Sequence, residues 1–312
     1  MEFIDTFRIN REKNGLMWRV EPICKVLALE YGVPISVSGY YSFKNRVKSA
    51  RQLRDEILCE KITRIYEENY RCYGIRKVWH SMLKIESVAR CTVERLMKKL
   101  GFSGAVRGKV KRTTIAGAKP VSAKDLVKRD FNAKVPNTLW VADFTYVSTW
   151  TGWCYVALIL DVFARRIVGY CVSTRMNEKM VGRAFKMAVF TRLNDGMSDF
   201  SDLIHHNDKG SQYTADGFVE LLALHGVRAS IGSVGDSYDN ALAESINGTY
   251  KTELIKKLGP WKDDGHLNLE TARWVHWYNT KRISQRNNYK TPVEVERLWY
   301  SEGIDERIIL KN

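Results

Sequence analysis

The stretch that decides the fold is TLWVADFTYV, residues 138–147, an apolar run of strand composition interrupted by one carboxylate, Asp143. A charge set among Leu139, Trp140, Val141, Ala142 and Phe144 needs a compensating partner, such as a metal ion. Two further acids have matching settings. Asp208 follows the apolar Leu203 and Ile204 at the end of another strand candidate. Glu244 lies in a helical segment, with 35 residues between the two (244 − 208 − 1 = 35). Two acids on or beside strands and one on a helix can converge on a pair of divalent ions ~3.5–4 Å apart, which activate an attacking oxygen and stabilise a leaving one in phosphodiester chemistry. Magnesium suits that work, because it needs few carboxylates and takes its other ligands from water and phosphate.

Working outward, WCYVALILDV (153–162) and RRIVGYCVS (165–173) read as two more strands, joined by turns at Thr151-Gly152 and Ala164-Arg165 short enough for hairpins. A helix over 178–193, strand 202–206, helix 214–226, strand 227–233 and a long helix from about Tyr238 to Leu258 follow. Three antiparallel strands and then alternating helices and strands make an α/β ribonuclease-H-like pattern, a mixed five-stranded sheet with flanking helices. The order alone leaves other α/β topologies open, and the carboxylate positions favour this one.

The neighbouring polar residues sort by setting. Asp161 ends a strand with Arg165 and Arg166 close behind, so an ion pair explains it. His205 and His206 suit magnesium less well than oxygen ligands do and read as structural. Gly210 permits a tight turn after Asp208, and Ser211 or Thr214 can cap the next helix. Asp236 and Asp239 fall where a helix begins, where the helix dipole accounts for acids. Glu244 is inside that helix and shares a face with Asn240, Asn247 and Lys251. Such a stripe offers one metal ligand, two amides and one cation to a DNA strand.

The words WVADFTYVSTWTG (140–152), YVALILDVFARRIVGY (155–170), HHNDKGSQYT (205–214) and SVGDSYDNALAESINGTYKTELI (233–255) resemble the OrfB-type transposases of the insertion-sequence-three family, DDE enzymes with a retroviral-integrase-like core. The resemblance covers nearly the whole chain. It implies metal-dependent DNA cleavage and strand transfer at the ends of a bacterial insertion sequence, with Asp143, Asp208 and Glu244 as catalytic residues and metal ligands. Two Mg2+ ions per site are implied, with Mn2+ able to substitute. Water would attack first, the freed 3′-hydroxyl second, through a circularised element and without a covalent enzyme intermediate. The implied partners are double-stranded DNA (element ends and target), the first-frame product of the same element, and further copies of this chain on DNA. Asn207 stands where the family motif usually has serine. ISQRNNY (283–289) replaces a stretch that usually includes a histidine and a small apolar residue. Trp274, Trp277 and Tyr278 read as packing aromatics.

The charge is distributed to match. Of the net +15, residues 1–135 hold 29 Lys+Arg against 14 Asp+Glu, and residues 136–312 hold 21 of each. An excess confined to one half favours a polyanion partner. No acid occurs from Arg95 to Lys124, where Arg107, Lys109, Lys111 and Arg112 lie among glycines, the composition of a flexible basic linker that follows phosphates. Residues 1–48 suggest an N-terminal helical segment, with an apolar period through Val20, Ile23, Cys24 and Leu27 that breaks at Gly32, and a serine-capped second helix. From sequence, helix-turn-helix and plain helical hairpin are equally open there. Residues 49–105 resemble the helix-turn-helix-like DNA-binding module that precedes the family's core, carrying Arg76 and Lys77, with a packing module that only contacts the core as the alternative; 106–135 read as the linker, 136–258 as the catalytic core and 259–312 as a helical tail. No apolar run reaches ~18 residues, so no membrane span is expected. There is no apolar leader, and the six cysteines hold no CxxC pair, so a reduced, cytoplasmic, nucleoid-associated bacterial protein is expected. Two other classes remain open: a ribonuclease-H-type nuclease that cuts without joining, and a non-catalytic DNA-binding remnant.

Overall fold

The computed structural model describes residues 1–13, 15–108, 126–127, 130–208, 210–232 and 241–301. The chain divides into two compact units, Met1–Leu58 and Cys59–Asn312. In the first, α1 (Glu2–Phe7), α2 (Val20–Tyr31) and α3 (Val37–Lys44) close over Ile4, Val20, Ile23, Cys24 and Tyr40. α2 stops where Gly32 takes the left-handed conformation (φ 63), and Ser36 Oγ accepts from Gly39 N at 2.9 Å to cap α3. The Tyr40 hydroxyl donates to Asp5 Oδ1 at 2.6 Å. α1 has one buried residue in six, too few to leave a helical period in the sequence.

α4 (Ala50–Glu68) buries Leu58, Ile62 and Ile65 but leaves Leu53 and Ile57 about half exposed. α5 (Ile75–Leu83) and α6 (Arg90–Lys99) pack on each other through Val78, Met82, Val93, Leu96 and Met97. Gly101 (φ 70) ends this pair, and Phe102 stacks on Tyr66 at 4.3 Å.

The sheet comprises β1 (Leu139–Thr149), β2 (Gly152–Asp161), β3 (Arg166–Ser173), β4 (Ile204–Asn207) and β5 (Arg228–Ile231), in the order β3-β2-β1-β4-β5. β1, β2 and β3 are antiparallel, while β4 runs parallel to β1 and β5 to β4. That is the ribonuclease-H-like arrangement. α7 (Glu178–Asn194) makes the crossover from β3 to β4, and α8 (Asp216–Leu224) joins β4 to β5. α7 lies so close on β3 that a side chain at Gly169 would collide with the Ala184 carbonyl. The core beneath it holds Trp140, Ala142, Ala157, Ile159, Phe185 and Phe218.

On the other side, α9 (Ala241–Tyr250) passes through a π-helical turn (Lys251–Ile255) into α10 (Lys256–Leu258). α11 (Asp264–Thr280) packs on β3, where Asn279 exchanges hydrogen bonds with Ile167 at 2.9 and 2.8 Å. Trp274, Trp277 and Tyr278 are buried, as packing aromatics should be. α12 (Pro292–Ser301) follows.

One buried ion network ties these layers. Arg192 of α7 donates to Asp161 at 2.8 Å and to Glu296 of α12 at 2.7 and 2.9 Å. Asp161 also accepts from Asn137 N at 2.8 Å. The sequence suggested Arg165 or Arg166 as its partner. Arg166 pairs instead with Glu296 and Asp195, and Arg165, at φ 57, forms the β2–β3 turn. Removing one partner of a fully buried set leaves the others uncompensated, at about 3–5 kcal/mol. Arg192→Met should therefore lower stability by about that amount in urea denaturation. A loss below about 1 kcal/mol would show the network to be dispensable.

Candidate active site

Register places the first two acids. The last parallel pair of β1 and β4 is Ala142 with Asn207, so Asp143 and Asp208 are the next residues along adjacent strands. Asp143 is tightly held. Its Oδ1 accepts from Phe144 N at 2.8 Å, and its Oδ2 accepts from Asn247 Nδ2 at 2.9 Å. Asn247 sits one turn after Glu244 on α9, which packs against β1. The helix thus brings the third acid to the other two. Asn247, read from sequence as a DNA contact, has its amide committed to Asp143.

Burial and like charge act together here. Burial first, then Asp208 and more weakly Glu244, push the Asp143 carboxyl up to about 7 against the pull of Phe144 N–H and Asn247. Burial also raises Asp208, opposed by Gly210 N–H and His206. Glu244 is raised by burial, with Arg107 opposing and Asp208 adding. Asp208 Oδ1 and Asn247 Oδ1 are buried without a donor among the described residues. No three His, Cys, Asp or Glu side chains among those residues lie close enough to share one ion. The acids are in electrostatic reach, each on its own element. An oxygen-only donor set with a buried, undonated carboxylate oxygen fits a hard divalent cation that keeps water ligands.

Around this centre, Lys251 begins the π turn, its Nζ 4.5 Å from the Tyr146 ring centroid. Arg107 donates to the carbonyls of Glu244 at 2.8 Å and Ser245 at 3.4 Å. It fits only because Gly248 has no side chain, since a Cβ there would collide with the guanidinium. Arg76 and Lys77 lie on α5 and line a groove together with Arg107. Asn240, Lys109, Lys111, Arg112, Asp236 and Asp239 lie outside the described residues.

His205 is enclosed by Phe185, Phe218 and Tyr213, and burial drives its pKa down to about 4, which keeps it neutral. His206 Nδ1 bonds Ser230 Oγ at 2.9 Å. Neither Ser211 nor Thr214 caps α8, whose N-cap position is Ala215 and which has no side-chain cap. Sequence reading passed over Tyr213. Its hydroxyl is buried with no partner among the described residues, and burial plus the Asp143 and Asp208 charges hold it protonated. The only sequence signal was an aromatic five residues past Asp208.

Family models described as "Integrase core domain" match residues 133–237 and 225–292, and one described as "HTH-like domain" matches residues 52–110. The "Putative transposase for insertion sequence element IS986/IS6110" of Mycobacterium tuberculosis is 52% identical over 272 residues, 86% of this chain and 98% of that one. The "Transposase for insertion sequence element IS629" of Shigella sonnei is 45% identical over 297 residues, 93% of this chain and 94% of that one. Among solved structures, a chain of a simian T-cell lymphotropic virus intasome matches at 13% identity and TM-score 0.44, covering 69% of each chain. The HTLV-2 integrase catalytic core domain in complex with magnesium matches at 15% identity and TM-score 0.37, over 52% of this chain and 97% of that one.

The site's electrostatics make a prediction for metal-free protein. Asp143 keeps its proton up to about 7 when folded and releases it near 3.8 when unfolded, so stability is lost as pH rises through that interval. Asp143→Asn removes the conflict. At pH 7 and without divalent ions it should be more stable than wild type by roughly 2–4 kcal/mol, at ~1.4 kcal/mol per pKa unit. The difference should shrink towards pH 4. Equal stability at pH 7 in thermal denaturation would show that Asp143 is not strained.

Proposed function

The chain belongs to the insertion-sequence-three transposases, and on that premise we propose that Asp143, Asp208 and Glu244 form the one centre that cleaves and joins DNA at the ends of a bacterial insertion sequence. Transposases of this kind are polynucleotidyl transferases. The observation that supports the residue assignment is the β1–β4 register, which sets two half-buried acids side by side under the helix bearing the third.

Asp143, Asp208 and Glu244 would hold two Mg2+ ions, or Mn2+ in their place, which supply activation of the attacking oxygen and neutralisation of the leaving one. The chain's own share is positioning. Asn247 fixes the Asp143 carboxylate by its amide hydrogen bond. Lys251, on the same helical face, sets a cation near Asp143, where it can neutralise a non-bridging phosphate oxygen. Water displaces the 3′-oxygen at the element's end, which leaves as a hydroxyl. That hydroxyl then attacks the phosphorus of a second phosphodiester in the same centre, and that strand's own 3′-oxygen leaves as a hydroxyl, so both steps draw on the same three acids.

The DNA partner is double-stranded, as element ends and as target. Arg76, Lys77, Arg107, Lys109, Lys111, Arg112, Asn240 and Lys251 are its candidate contacts. Two or more copies assemble on DNA together with the first-frame product, in the bacterial cytoplasm at the nucleoid. Among the described residues no helix is long and apolar enough to cross a membrane.

Glu244→Gln keeps size and helix propensity but removes the charge. On an element-end duplex with the first-frame product and Mg2+, it should lower cleavage and joining alike by at least ~100-fold, the scale of losing a main electrostatic stabiliser, with DNA affinity unchanged. Asp239→Asn should cost at most ~1 kcal/mol, typical of an acid at a helix start. Near-normal rates for Glu244→Gln would refute the assignment.

A further inference from the structure

A groove of 730 Å³ runs between α5, residues 103–107 and α9. The wall on that side is Ser245, Gly248 and Thr249 of α9 and Thr252 of the π-helical turn that continues it, spaced i, i+3, i+4, i+7 along one helical face. Glu244 and Lys251 each precede a member of that stripe by one residue, ~100° around the helix, so the groove lies beside the catalytic face. The opposite wall is backbone on backbone. Ala105 N donates to Cys72 O at 3.0 Å, and a side chain at Gly104 would run into Gly74.

Four cations line this groove without an ion pair at contact distance among the described residues: Arg76, Lys77, Arg90 and Arg107. A fifth, Arg282, is already neutralised by Glu253 through two bonds of 2.7 Å. Lys77 is the telling one. Its Nζ lies 4.9 Å from the Tyr73 ring centroid, with no hydrogen-bond acceptor among the described residues. Burial pushes its pKa down to about 8, Arg282 adds to the fall, and Glu253 and Cys72 oppose it. A half-buried cation among other cations is costly to the chain alone, and an anion in the groove offsets that cost. α5 also begins at Gly74 without a side-chain cap, and Gly74 and Ile75 line the groove, an arrangement that favours phosphate.

We propose that the groove seats the sugar-phosphate backbone of one DNA strand, with Arg76, Lys77, Arg90 and Arg107 on phosphates and the Ser245, Thr249 and Thr252 hydroxyls on neighbouring oxygens. The inference rests on the transposase reading of the carboxylate centre and deepens it. α5 and α9 grip the same strand one helical face from Glu244, so the helix-turn-helix-like module helps deliver the strand to the catalytic centre. Several cations along an open groove suit a polyanion better than a single small anion. Arg107 can keep its bonds to the α9 carbonyls and still reach a phosphate, because a guanidinium has five N–H donors.

The test is fluorescence anisotropy of a labelled 20-base-pair duplex (about two turns) of arbitrary sequence with the full chain, over a range of salt and pH. The variant R76Q/K77M/R90Q/R107Q should reduce the log–log salt slope by about 3–4, at ~0.9 for each phosphate no longer neutralised. Lys179→Met with Arg183→Gln, on α7, should leave the slope unchanged. In an Asp143→Asn background, which removes the carboxyl that titrates near 7, affinity should fall between pH 7 and 9 as Lys77 loses its proton, and adding Lys77→Arg should retain the pH 7 affinity while abolishing that fall. Burial lifts Cys72 and Tyr73 above this window, and Arg282 stays protonated against Glu253. An unchanged slope in the fourfold variant, or a pH dependence that survives Lys77→Arg, overturns the groove assignment. Metal-dependent cleavage by the wild type, assayed in parallel, separates that failure from failure of the transposase reading.

Discussion

The parallel pairing of β1 with β4 is the constraint on which the rest depends. It is non-local, since β2, β3 and α7 all lie between the two strands in the sequence. Once made, it sets Asp143 and Asp208 side by side at the middle of the sheet, where burial disfavours both charges and the charge of Asp208 adds to the cost at Asp143. Much of what surrounds them limits that cost. Phe144 N–H and Asn247 hold Asp143 in place, and the helix that supplies Asn247 also supplies Glu244.

The fold treats its buried acids in two ways. Asp161 lies on β2 and receives a full set of internal partners in Arg192, Asn137 N, Phe163 N and the Trp140 indole. Asp143, on the neighbouring strand, faces other acids and receives only an amide and a backbone N–H. One carboxylate is compensated by a buried cation, and the other faces like charge with no cation bonded to it among the described residues. On the proposed function, that contrast is what distinguishes Asp143 from Asp161.

Much of this was legible in the sequence because the signals are local. Apolar runs bounded by Thr151-Gly152 and Ala164-Arg165 located β1, β2 and β3, the helical period located α7, and Gly32 and a serine cap punctuated the N-terminal helices where expected. Asp143 stood out because an apolar run does not tolerate a lone charge. What could not be read depends on contacts distant in sequence. Arg192 reaches Asp161 across 31 residues and Glu296 across 104, and periodicity carries no trace of either. The Glu244, Asn247, Lys251 stripe was visible, but which residue it presents to Asp143 depends on how α9 is rotated against β1. The same holds for Arg107, whose seat is an absence, the missing side chain of Gly248.

The central claim is that β1, β4 and α9 assemble a strained acidic centre completed by a divalent cation. The most direct measurement is the thermal unfolding midpoint of the full chain at pH 7.5 as Mg2+ is titrated, with Asp143→Asn alongside. A ligand that binds only the folded state raises the midpoint saturably. The account predicts such a rise for the wild type and none for Asp143→Asn. A wild-type midpoint indifferent to Mg2+, or an equal rise in both proteins, would contradict it.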